Sequence, residues 1–91
     1  MDAVITAGIE EALASEVRAE AARQRLAGTA IAEHLGYTKH TVSQKLNGRI
    51  AITVVDLFAI GKLLNVPAAE IYRRAEESLT TTALTRGDDA A

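Results

Sequence analysis

Six side chains in one short stretch carry most of the chemistry that this chain of 91 residues can offer. Lys39, His40, Thr41, Ser43, Gln44 and Lys45 can all donate hydrogen bonds, and no carboxylate interrupts them. Placed on one helix, such a row suits a surface of acceptors and negative charge, such as the phosphate-lined major groove of double-stranded DNA. Catalytic chemistry is harder to assemble. Thr41, Ser43 and Tyr37 lack a His–Asp partner, so nucleophilic catalysis is not expected and the chain reads as a non-enzyme. His34 and His40 lie six apart and straddle a turn. With no cysteine in the chain and few carboxylates nearby, neither a metal site nor a cofactor is expected.

Charge is distributed to match. The formal net charge is −2, but from Arg23 to Lys62 six basic residues face two acidic ones, a net +4, while the remainder carries four basic and ten acidic residues, a net −6. A basic middle between acidic ends is what a local anionic partner would favour. The three aromatics, Tyr37, Phe58 and Tyr72, are too few for a haem pocket or a stacking platform for single strands. No apolar run reaches the ~18 residues of a membrane helix, and Met1-Asp2-Ala3 lacks the basic start of a signal peptide. A soluble cytoplasmic chain with no membrane partner is expected.

The elements that must position the donor row are helices. Ile5, Ile9, Leu13 and Val17 recur every four residues, and Ala21 and Ala22 extend the stripe, which predicts a long first helix from about Thr6 to Leu26, ended by Gly28. Ile31, Ala32 and Leu35 predict a short second helix, Thr29 to Leu35, stopped by Gly36. Thr38 caps a third over residues 39–47, with Val42 and Leu46 inward and Gly48 closing it. Thr53 opens a fourth, with Asp56 as an acidic form of the capping box and Val54, Leu57, Phe58, Ile60 and Leu64 as a wide apolar face. Pro67 precedes a fifth, about Ala68 to Glu77. The expected fold is all-α, a compact five-helix domain over residues 1–77, followed by a flexible tail over 78–91.

Within that order, residues 28–48 have the physics of a helix-turn-helix. Ala32 is small enough for a crossing helix to approach, Gly36 supplies the sharp turn, and Val42 faces back toward Ile31 and Leu35. The donor row then lies on the outward side of the second helix of the pair.

This stretch, Ala30-Ile31-Ala32-Glu33-His34-Leu35-Gly36-Tyr37-Thr38-Lys39-His40-Thr41-Val42-Ser43-Gln44-Lys45-Leu46-Asn47-Gly48-Arg49, resembles the Cro/phage-repressor helix-turn-helix domains, also called the xenobiotic-response-element type. The later Thr53, Asp56-Leu57, Ile60, Leu63-Leu64-Asn65-Val66-Pro67 and Glu70-Ile71 resemble the closing two helices of that family, so the likeness spans roughly Val17 to Tyr72. It implies a lambda-repressor-like fold and a sequence-specific transcription regulator, a small repressor of phage or mobile-element type. Lys39, His40 and Gln44 match positions that reach base edges. Thr41, Ser43, Asn47 and Arg49 match positions that touch the DNA backbone, where contacts set register rather than sequence, and Thr38 and Lys45 are expected to contact it as well. The alternative on the same fold is a protein-interaction module such as an antitoxin or antirepressor, which keeps a protein partner in view.

The chain departs from that family at three places. Gly28 stands where a phosphate-binding glutamine is usual. Lys45-Leu46 replaces an apolar residue followed by glutamate, and Ala21 occupies the place of that glutamate's basic partner. These departures predict an apolar Ala21–Leu46 contact with Leu46 buried and Lys45 facing outward. Tyr37 is expected to cap the edge of the core, with a hydroxyl–phosphate contact as the alternative. Arg73 and Arg74 are read as a solvated face, and His34 as a surface residue. A homodimer on an inverted-repeat operator is expected, joined through the apolar start of the first helix at Val4, Ile5 and Ile9. Alternatively, that stripe folds onto the fifth helix near Ile71 and Tyr72.

Overall fold

The computed structural model describes the backbone of residues 3–90 and the side chains of residues 8–80. Five helices follow one another: α1 (Ala3–Arg23), α2 (Gly28–Leu35), α3 (Lys39–Leu46), α4 (Val54–Leu64) and α5 (Ala68–Ala90). No strand occurs among the described residues. The long α1 lies along α5, α2 bridges α3 and α4, and α1 closes the other side of α3. The expected all-α five-helix architecture is the one observed.

The core is drawn from the predicted stripes. Leu13, Val17 and Ala21 of α1 meet Ile31 and Ala32 of α2, Val42 of α3, Leu57, Ile60 and Leu64 of α4, and Ile71 and Ala75 of α5. No helix could bury its stripe alone, and each fully buried Leu, Ile or Val contributes about 1.5–3 kcal/mol once the five stripes converge. Leu35 and Leu46 are only half-buried at the edge of this cluster.

Three boundaries or faces differ from expectation. α1 stops at Arg23 rather than Leu26, and the left-handed residue that ends it is Arg25 (φ 56°), not Gly28. The Leu26 amide donates to the Ala21 carbonyl at 2.8 Å and the Arg25 amide to that of Ala22 at 3.1 Å, a Schellman-type closure with Leu26 tucked against the core. The helical backbone of α5 runs to Ala90 instead of ending at Glu77. Leu79 continues the Ile71–Ala75 stripe at the same four-residue spacing, and a Cβ added at Gly8 of α1 would lie 3.2 Å from its Cδ1. Packing against α1 therefore outweighs the weak helix propensity of the Ser78–Thr82 run. On α4, only Leu57, Ile60 and Leu64 of the expected face turn inward. Val54 and Phe58 are exposed.

Two glycines separate structural need from tolerance. A Cβ at Gly61 of α4 would sit 2.6 Å from the Val66 carbonyl oxygen and 3.1 Å from the Ala68 amide nitrogen, whereas one at Gly28 would meet nothing within 4 Å. The α4–α5 turn can hug α4 only because Gly61 has no side chain. Gly61→Ala is expected to destabilise by about 2 kcal/mol or more, since backbone must move. Gly28→Ala should be neutral or slightly stabilising. Urea denaturation of the two variants measures the contrast, and equal midpoints would contradict it.

Candidate nucleic-acid interface

The outward face of α3 is built from its caps. The Thr38 hydroxyl accepts from the Thr41 amide at 3.1 Å and donates to the Thr41 hydroxyl at 3.0 Å, closing the start of the helix. Gly36, with φ 75°, ends α2, and its amide and that of Tyr37 both donate to the Ala32 carbonyl, at 2.9 and 3.0 Å. Two residues of extended chain separate that left-handed turn from α3. At the far end Asn47 caps α3 and Gly48 (φ 75°) turns the chain toward Arg49.

This frame leaves Lys39, His40, Ser43, Asn47 and Arg49 exposed, with Thr41 and Gln44 half-buried. Gln44 Nε2 lies 3.3 Å from His40 Nε2, so these two candidate base readers, one turn apart, support each other. Asn47 Nδ2 donates weakly to the Ser43 hydroxyl at 3.4 Å. A shallow groove lined by Arg18, Gly28, Thr29, Lys39, Ser43 and Asn47 runs between the start of α2 and α3. No side chain caps α2 at Ala27. Eight of the nine site residues singled out in the sequence thus come together on one face and its two ends.

The ninth, Lys45, does not. It is 8% exposed, and its ammonium donates to Asp56 Oδ2 at 2.7 Å and to the Ala51 carbonyl at 2.9 Å, 5.3 Å from the centre of the Tyr37 ring. The expected outward Lys45 is corrected: it cannot touch DNA from this position. The reason is the register of α3. Residues three and four after Val42 both fall on its inner side, and the carboxylate waiting there draws Lys45 in. Leu46 is half-buried rather than buried.

Asp56 is the hub. It is 3% exposed and accepts from Lys45, from the Tyr37 hydroxyl and from the Thr53 amide at 3.1 Å, while its own amide donates to the Thr53 hydroxyl at 3.0 Å. The capping box expected at α4 is therefore present and is extended to the turn before α3, to α3 itself and to the following loop. Burial pushes the Asp56 carboxyl upward, but hydrogen bonds from Lys45, Tyr37 and Thr53 overcome it and hold its pKa at about 2, below the usual 3.8. Hydrogen bonding to Asp56, with burial adding to it, raises the Tyr37 phenol. Tyr37 does not cap the core as expected: it is 38% exposed, and its hydroxyl is engaged by Asp56 within the protein.

Arg18 was not among the residues that the sequence suggested. Its guanidinium donates to the Leu46 carbonyl at the end of α3 and to Glu11 at 3.2 Å, so a cation from α1 satisfies the C-terminal end of α3. The basic partner from the first helix lies one turn before Ala21, and that spacing was the only available signal. His34 of α2 reaches the Ala59 carbonyl of α4 at 3.1 Å. Away from this face, Glu20 and Glu70 bind Arg23, Arg73 and Arg74. Hydrogen bonds from Gln24, Arg23 and Arg74 lower Glu20 to about 2, and those from Arg73 and Arg74 lower Glu70 to about 2. Arg73 and Arg74 thus fasten α5 to itself and to α1. No cluster of metal-ligating side chains occurs among the described residues, and no described helix is long and apolar enough to cross a membrane.

The fold is similar to that of a solved structure. The crystal structure of the clp gene regulator ClgR from Corynebacterium glutamicum matches with a TM-score of 0.81 at 20% identity, over 90% of this chain and 87% of that one. No family model matches the sequence, and no curated protein matches it significantly.

The Asp56 hub sets a pH dependence. Its lowered pKa makes a contribution that is full above the unfolded value near 3.8 and is lost as pH falls through about 2, worth about 2 kcal/mol for a shift of this size. Asp56→Ala, which strands the buried Lys45 ammonium, should cost about 3–5 kcal/mol near neutrality. The gap to wild type should narrow between pH 4 and 2. Joint replacement, Lys45→Met with Asp56→Leu, should recover most of it. Thermal melts across pH check this, and a pH-independent gap would contradict it.

Proposed function

We propose that this chain is a sequence-specific DNA-binding transcription regulator, a small repressor of phage or mobile-element type, that lays α3 in the major groove. The observation that carries the reading is the outward face of α3: every side chain on it can donate a hydrogen bond, none is a carboxylate, and caps hold both ends. Lys39 and Gln44 suit guanine and adenine edges, the glutamine amide pairing bidentately with adenine N6 and N7. Thr38, Thr41, Ser43, Asn47 and Arg49 flank them, where phosphates pass on either side of a groove-bound helix. The likeness to ClgR, a gene regulator, supports the same reading.

One copy offers one such helix and few free cations. Lys45 is neutralised by Asp56 and Arg23 pairs with Glu20, leaving Lys39 and Arg49 as the exposed charges at the two ends of α3. We read the working unit as a homodimer on an inverted repeat, which doubles these contacts.

Selection of bound duplexes from a random pool, followed by gel shifts of the preferred site over a salt series, tests the proposal. Gln44→Ala should lose about 1–3 kcal/mol on the preferred site and relax choice at one base pair. Uniform weakening on all sequences would remove its base-reading role. Arg49→Ala should lower the salt slope by about one phosphate's worth per copy, whereas the joint replacement Lys45→Met with Asp56→Leu should leave the slope unchanged. A chain that selects no duplex at low salt but retains one protein from cell extract would favour the interaction-module alternative.

A further inference from the structure

The outer side of α4 belongs neither to the core nor to the face of α3. Val54, Val55 and Phe58 are 86%, 77% and 59% exposed, and Ile50, in the preceding loop, is 45% exposed. Val54 and Phe58 are one turn apart with Val55 beside them, so the three share a side of the helix. Lys62 follows a further turn on, its ammonium 5.1 Å from the centre of the Phe58 ring. Of the residues of α4 only Asp56 and Lys62 are charged, and Asp56 is buried. A helix apolar nearly all round is patterned to be covered on both sides, yet this chain covers only the side bearing Leu57, Ile60 and Leu64. Val54, Val55 and Phe58 together leave roughly 400 Å² exposed, within the range of the largest patch on a monomer and about half of the ~800 Å² that each partner buries in a specific complex.

We propose that a second copy of the chain covers this face, α4 packing against α4 about a two-fold axis. A two-fold interface sets a patch against itself. An apolar patch with no charge at its centre and one lysine at its rim is compatible with that, whereas a charged patch would repel itself. The patch is also held rigidly, because the capping box and the Lys45–Asp56 pair fix the first turn of α4. Of the interface expected at the start of α1, Ile9 packs against the core of its own chain, while the side chains of Val4 and Ile5 lie outside the described residues.

The test uses the full chain without DNA and exploits its lack of cysteine. Sedimentation of the wild-type protein should give twice the chain mass. Val54→Asp with Phe58→Asp should halve that mass while the helical circular-dichroism signal stays. Val55→Cys should be joined into a covalent pair by a short bis-maleimide, and Glu76→Cys on α5 should not. The Val55→Cys experiment decides should the double variant fail to fold. A wild-type chain that stays monomeric at its highest soluble concentration, or a dimer that survives the two aspartates in a folded variant, overturns the proposal. A dimer through α4 that binds no duplex upholds the interface and removes the DNA reading; a monomer that binds duplex does the reverse.

Discussion

The arrangement of the helix-turn-helix depends on one buried ion pair, Lys45 with Asp56. Taking both charges out of water costs several kcal/mol per ion, and attraction offsets that only when the remaining donors and acceptors are also satisfied. Here they are. The lysine also binds the Ala51 carbonyl and lies near the Tyr37 ring, and the aspartate also binds Tyr37 and Thr53. No buried side-chain nitrogen or oxygen among the described residues lacks a partner. The pair therefore joins the turn before α3, the end of α3, the loop after it and the first turn of α4. An apolar replacement could match its stability but would not fix those four segments by direction.

That constraint shapes the electrostatics as much as the geometry. Drawing Lys45 inward removes a cation from the surface and leaves α3 with a face of neutral donors between Lys39 and Arg49. On the DNA-binding function proposed above, such a face would favour discrimination over raw attraction, because polar side chains read base edges while cations mostly neutralise phosphates. Of the acidic residues, Glu11 lies beside Gly48 at the end of α3 and binds Arg18, while others are held farther away. Glu20, Glu70 and Glu77 engage the arginines of α1 and α5, on elements that do not form the outward face of α3.

Much of this was legible in the sequence because it rests on local rules. Thr38, Thr53 with Asp56, and Gly36 marked their helix boundaries through capping and left-handed turns, and Val17, Ile31, Val42, Ile60 and Ile71 marked the core by periodicity. The errors fall where a local rule allows two answers and a distant residue chooses. Lys45 and Leu46 are both on the inner side of α3 by spacing, and Asp56, a helix away, decides between them. The polar run at Ser78–Thr82 argues against helix until Leu79 is set beside Gly8. Arg25 in a left-handed conformation has no sequence mark, since glycine is the usual sign and Gly28 stood nearby. The apolar breadth of α4 was visible, but periodicity could not show that half of it points outward.

The most direct measurement of the central claim is a map of backbone amide resonances as a selected duplex is titrated into the protein. The largest shifts should fall on residues 38–49 and on Gly28 and Thr29 beside the groove, with the solvent face of α5 around Arg73 and Glu77 unmoved. The same perturbations concentrated on α5, or resonances that do not respond to any duplex, would contradict it.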